Sequence, residues 1–207
     1  MNLPNKISLS RICLIPIFVA VFFLDGILPF AFGISAIIFA IAACTDFIDG
    51  KIARSRGLVT NLGKFLDPIA DKVLVATAMI LMLTMKDSLF ALVGGASEWV
   101  YLVTAICTCI IMARELIISA FRQIAAVNGI IMAAEKLGKY KAACQDFAIF
   151  FLIFAAGIAE ITPVEYAVPW GMYLAWFGFA LFALATVLTI ISGFCYIWKN
   201  RQVLKDN

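Results

Sequence analysis

Long apolar runs alternate with short charged or turn-forming breaks along almost the whole chain. Each run is about as long as a helix needs to cross the ~30 Å hydrocarbon layer of a bilayer. The pattern predicts six spans, at roughly 8–24, 30–54, 63–85, 99–126, 136–159 and 170–198. Asp25-Gly26 with Pro29, Lys86-Asp87 with Gly94-Gly95, Asn128-Gly129, and Pro163 with Pro169 mark the turns between them. Residues 2–7, NLPNKI, are expected to form a short interfacial segment before the first span. The first apolar run lacks a convincing small-residue cleavage site, and further spans follow, so no cleavable signal is expected. The fold class is therefore all-α, a polytopic membrane protein with a single domain over 1–207 and no repeat, linker or low-complexity segment.

Composition agrees: 64% of the residues are hydrophobic, and the mean hydropathy is +1.04. A net charge of +3 gives no reason to expect nucleic acid as a partner. The placement of the charge says more. With six spans, fifteen of the sixteen basic residues fall on the side of the two termini, and Lys86 falls opposite, among Asp25, Asp87, Glu98, Glu160 and Glu165. By the positive-inside rule both termini are expected to face the cytoplasm, with membrane lipids around the spans. The absence of histidine removes Ser-His-Asp and Cys-His catalysis and any His-ligated metal site. It also argues against phospholipase-D-like transferases, whose motif needs histidine. The six cysteines are scattered, form no CxxC, and read as small buried hydrophobes.

Against this apolar background, residues 46–71, DFIDGKIARSRGLVTNLGKFLDPIAD, carry four aspartates: Asp46, Asp49, Asp67 and Asp71. Carboxylates beside hydrocarbon are costly and mark function. Spacings of three and four place each pair on one helical face, so two neighbouring helices can aim four carboxylates into one cavity. Such a group cannot remain fully ionised without cations, and hard divalent ions with oxygen ligands suit it.

Asp46, Asp49, Gly50, Ala53, Arg54, Gly63, Asp67 and Asp71 spell D-x2-D-G-x2-A-R-x8-G-x3-D-x3-D. This resembles the signature of the CDP-alcohol phosphatidyltransferase family, with no position missing. The resemblance implies a two-metal site with Mg2+ or Mn2+ on Asp46, Asp49, Asp67 and Asp71, and Asp71 as general base. It also implies a CDP site formed by Asp46, Asp49, Gly50, Ala53, Arg54 and Gly63. Small residues there have a steric reason, since a flat base and ribose need the space. Close helix packing explains them equally simply, and an interfacial anchor is a second reading of Arg54.

A second constellation lies further on. Arg114 and Arg122 are eight apart and share a face of the fourth span. Arg114 sits deep in an apolar run, where a cation needs a partner or a wet cavity. Glu115 is next to it but points about a quarter-turn or more away. Lys136, Lys139 and Lys141 open the fifth span. Arginines on one helix and lysines on the next suit a phosphomonoester, although positive-inside anchoring also accounts for the lysines. The runs ARELIISAFR (113–122) and LGKYKAACQ (137–145) resemble those of family members whose acceptor is sn-glycerol 3-phosphate, with Ala142 where Thr is usual. Asn5, Ser8 and Arg11 resemble the N-terminal run of the same branch, and a helix cap plus an anchor reads equally well. The implied reaction moves the phosphatidyl group of CDP-diacylglycerol to glycerol 3-phosphate and releases CMP. The resemblance also implies a homodimer. Inositol phosphate or phosphatidylglycerol as acceptor, as in a cardiolipin synthase, would keep the chemistry. A divalent-cation transporter would use the same aspartates differently, but their one-sided placement and the lack of an inverted repeat count against it.

Overall fold

The structure is a computed structural model, and it describes the backbone over residues 3–56, 61–127, 136–161 and 164–201. Side chains are described over 9–45, 69–126, 137–161 and 170–201. Six α-helices follow in order: α1 (Leu3–Phe22), α2 (Ala31–Arg56), α3 (Asn61–Thr84), α4 (Ser97–Val127), α5 (Lys136–Ile161) and α6 (Val164–Lys199). They match the six predicted runs within six residues at each end, and the described residues contain no strand. Residues 3–7 are the first turns of α1 rather than a separate element. The reason is local: Pro4 stands in the first turn, where a missing N–H costs nothing, and no breaker separates it from Ser8.

Three stretches among the described residues are long and apolar enough to cross a membrane: Phe90–Ala126, Leu137–Ile161 and Trp170–Lys199. Leu9–Phe22 and Ala31–Thr45 are shorter apolar helical stretches. The molecule is thus an all-α membrane protein. A 3₁₀ segment, Phe90–Ala96, leads into α4 with a kink at Gly94 (φ 60°, ψ −129°), which glycine accepts without steric cost.

The core is made of Phe18, Phe39, Met79, Met82, Ile111, Ile149, Leu152 and Phe182, contributed by all six helices. In lipid there is no hydrophobic drive between helices, so close van der Waals packing at small residues must hold them. Gly157 of α5 supplies one such point: a Cβ there would lie 2.6 Å from the Cα of Gly33 on α2. Gly178 of α6 does the same against Leu152, whose Cγ would be 2.7 Å from an added Cβ. The Glu160 carboxylate accepts a hydrogen bond from the backbone N–H of Phe32 (3.1 Å), capping α2 from the far end of α5. Four buried threonines bond within their own helices: Thr104, Thr108, Thr186 and Thr189 each donate to the carbonyl four residues earlier.

Asp25, Asp87, Ser88 and Glu160 gather around one cavity with the start of α2 and the end of α5. Asp71, Arg114, Arg122, Lys139 and Lys141 gather around another. The acids that the sequence separates from the basic residues are therefore also separated in space.

Candidate acceptor and catalytic site

The second of these cavities encloses about 370 Å³. Its walls come from the middle of α3 (Asp71 to Met79), the second half of α4 (Met112 to Arg122), the first half of α5 (Gly138 to Asp146) and the last turns of α6 (Ser192, Tyr196). The early part of α5 meets late parts of α4 and α6, as helices alternating in direction require.

Helical register explains most of the wall. Asp71, Val75 and Met79 are four apart on α3, and Lys141 and Gln145 are four apart on α5. Arg114 and Arg122 line the same cavity, as their spacing of eight predicts. The structure thus brings together Asp71, Arg114, Arg122, Lys139 and Lys141. Ala142 is also in the wall. A methyl group at this place leaves the wall without the hydroxyl that threonine would add.

The side chains of Asp46, Asp49, Gly50, Ala53, Arg54, Gly63 and Asp67 lie outside the described residues, as do those of Asn5, Ser8 and Lys136. Their backbones fall within helices: positions 46, 49, 50, 53 and 54 in α2, and 63 and 67 in α3 with Asp71. α2 packs on α3.

One expectation is corrected by geometry. Arg114 Nη1 donates to Glu115 Oε1 at 2.9 Å. The two residues leave the helix about 100° apart, but the long guanidinium arm bends round to meet the carboxylate. The same Oε1 accepts from the Lys141 ammonium, which is 4% exposed. Glu115 therefore gathers one cation from α4 and one from α5, and a charge-assisted pair of this kind is what lets a lysine be buried. The backbone carbonyl of Glu115 accepts from Ser119 Oγ (2.5 Å), which in turn meets the ammonium of Lys72, one residue after Asp71.

α6 supplies the residues that sequence reasoning missed. Arg114 Nη2 donates to Ser192 Oγ at 3.1 Å. The stem of Arg114 lies over Gly193, where an added Cβ would be 3.1 Å from its Cγ. Arg122 Nε donates to the Tyr196 hydroxyl at 3.1 Å, and its guanidinium carbon stands 5.3 Å from the centre of that ring. Ser192 and Tyr196, one turn apart on a strongly apolar helix, were the available signal. Two polar atoms in the wall are buried without a hydrogen-bond partner: Arg114 Nε, a donor, and Gln145 Oε1, an acceptor. Such atoms are costly unless a ligand or water meets them.

An all-α membrane bundle with an aspartate-bearing helix pair beside a cationic cavity defines the class, a membrane enzyme acting on phosphorylated substrates. The chain belongs to the CDP-alcohol phosphatidyltransferase family, whose profile matches residues 1–191. It is 38% identical to a CDP-diacylglycerol–glycerol-3-phosphate 3-phosphatidyltransferase of Bacillus subtilis, with 100% of this chain and 98% of the relative covered. Proteins of the same name from Salmonella paratyphi A and Rickettsia bellii are 40% and 34% identical, covering 99% and 94% of this chain and 98% and 93% of their own lengths.

Proposed function

We propose that this protein transfers the phosphatidyl group of CDP-diacylglycerol to sn-glycerol 3-phosphate, forming phosphatidylglycerophosphate and CMP. The full-length relatives named for this reaction support the reading. The structural observation that carries it is the meeting of Asp71 with Arg114, Arg122, Lys139 and Lys141 in one cavity. A phosphomonoester brings the negative charge that such a wall suits, whereas serine or free inositol does not need it.

In this reading the primary hydroxyl of the acceptor attacks the phosphorus that carries the lipid. Its proton passes to Asp71 as the bond to CMP breaks. Arg114 and Lys141, held by Glu115, present their remaining N–H donors to the acceptor phosphate. Arg122 and Lys139, both exposed, draw the anion in. Gly50, Ala53 and Gly63 leave room for the cytidine, with Arg54 beside the pyrophosphate. Asp46, Asp49, Asp67 and Asp71 would hold Mg2+ or Mn2+. The donor set fits, since carboxylate oxygens recur at one-turn spacing on two packed helices and those are hard-cation ligands. Such ions, when bound, supply charge neutralisation at the pyrophosphate.

The reading extends to a single transferase domain over 1–207, six crossings of a bacterial cytoplasmic membrane and a cytoplasm-facing site. The placement of Lys and Arg supports the topology. It also includes a homodimer, supported by family resemblance. The test is head-group transfer by purified protein in mixed micelles containing CDP-diacylglycerol and Mg2+ or Mn2+. Glycerol 3-phosphate, inositol phosphate, serine and phosphatidylglycerol are offered separately. Metal-dependent CMP release with glycerol 3-phosphate as the productive acceptor is expected, and turnover with a different acceptor overturns the assignment of the cavity.

A further inference from the structure

Gln145 is 3% exposed, lines the cavity one turn beyond Lys141, and is given no task by the chemistry above. Its Nε2 lies 3.5 Å from the thioether of Met79. A thioether sulfur accepts weakly and cannot donate, so the amide nitrogen is the end that suits this contact. The nitrogen faces Met79, and the oxygen is left as a buried acceptor without a partner.

That oxygen requires a donor. An ionised phosphate offers none, because its oxygens only accept. Among the nearby cations, the Lys141 ammonium meets Glu115, and Arg114 meets Glu115 and Ser192. The other unpartnered buried atom in the wall, Arg114 Nε, has the opposite need: it is a donor seeking an acceptor. A small ligand with both an anionic oxygen and a hydroxyl meets both needs at once. Glycerol 3-phosphate carries such a pair besides the hydroxyl that reacts: the phosphate, and the secondary hydroxyl at C2.

We propose that Gln145 is a specificity-determining residue whose amide oxygen accepts a hydrogen bond from the C2 hydroxyl of the acceptor. The inference rests on the acceptor assignment made above. It limits good acceptors to phosphomonoesters that carry a second, non-reacting hydroxyl. An analogue without that hydroxyl leaves the buried oxygen unpaired in the closed complex, which is how polar sites reject deoxy substrates.

The test compares sn-glycerol 3-phosphate with propane-1,3-diol monophosphate, which keeps the phosphate and a primary hydroxyl but lacks the secondary one. The wild type is expected to favour glycerol 3-phosphate by about 10- to 100-fold in kcat/KM. Gln145→Met keeps the length of the side chain and removes the acceptor. The preference should fall to about threefold or less, while an unchanged Tm and circular dichroism spectrum in detergent report an intact fold. Gln145→Glu keeps an accepting oxygen and should keep most of the preference, with both acceptors bound more weakly. The proposal is overturned by a Met variant that retains the wild-type preference, by equal losses on both acceptors, or by a wild type that does not discriminate. A wild type that releases CMP with another alcohol but not with glycerol 3-phosphate sinks the parent assignment instead.

Discussion

Arg114 and Glu115, neighbours in the chain, close an ion pair at 2.9 Å in the wall of the cationic cavity. The carboxylate also holds Lys141 from the next helix, so one acid organises two buried or half-buried cations. Removing it leaves two positive charges facing each other in a poorly solvated wall. Glu115→Gln should lower stability in detergent by about 1–3 kcal/mol. Added inorganic phosphate should restore part of the lost Tm by taking the place of the carboxylate. An unchanged Tm, or one indifferent to phosphate, would show that the two cations do not depend on this acid.

Tyr196 acts on Arg122 in two ways, through its hydroxyl and through its ring. Tyr196→Phe removes the first and keeps the second. Its KM for glycerol 3-phosphate should rise about three- to tenfold, the equivalent of one hydrogen bond. Tyr196→Ala should raise KM further, with kcat less affected than KM in both. Michaelis curves for the two variants decide the matter, and equal KM values would count against a role for the ring.

Arg114 and Lys139 differ in burial, and this should appear in kinetics. Arg114→Ala removes a half-buried guanidinium and leaves Glu115 and Ser192 without it. A rise of about 30-fold or more in KM for glycerol 3-phosphate is expected, on the scale of a lost charge-assisted bond. Lys139→Ala, at an exposed position, should cost about three- to tenfold and should weaken as salt is added. Variants that both keep the wild-type KM would remove the case for a phosphate in this cavity.

Asp71→Asn keeps the shape of the side chain and loses its basicity. A fall of about 10²- to 10⁴-fold in kcat is expected, with KM for glycerol 3-phosphate changed little. A mutant that turns over at wild-type rate would place the base elsewhere.

Gly157→Ala is a test of the frame. The added methyl would meet the Gly33 backbone, which has no flexible end to give way. Thermal unfolding in micelles should show a loss of about 1–3 kcal/mol. Gly95→Ala, where an added Cβ meets nothing within 4 Å, is the matched control and should leave Tm almost unchanged.

The linear order of residues determined the six helices, because each apolar run is long and bounded by charged or turn-forming breaks. It determined the faces as well: Arg114 and Arg122 at a spacing of eight, and Asp67 and Asp71 at a spacing of four, share a side of any helix they lie on. The separation of basic from acidic ends was legible for the same local reason. Which helix meets which face was decided by the tertiary structure. α6 is so apolar that nothing marks one side for lipid and another for protein, and hydrophobicity cannot separate the two in a bilayer. Ser192, Gly193 and Tyr196 acquire meaning once packing sets them against Arg114 and Arg122. The pairing of Arg114 with Glu115 followed side-chain reach rather than helical angle. The unmatched oxygen of Gln145 came from its contact with Met79, 66 positions away in the chain, where no periodicity carries information.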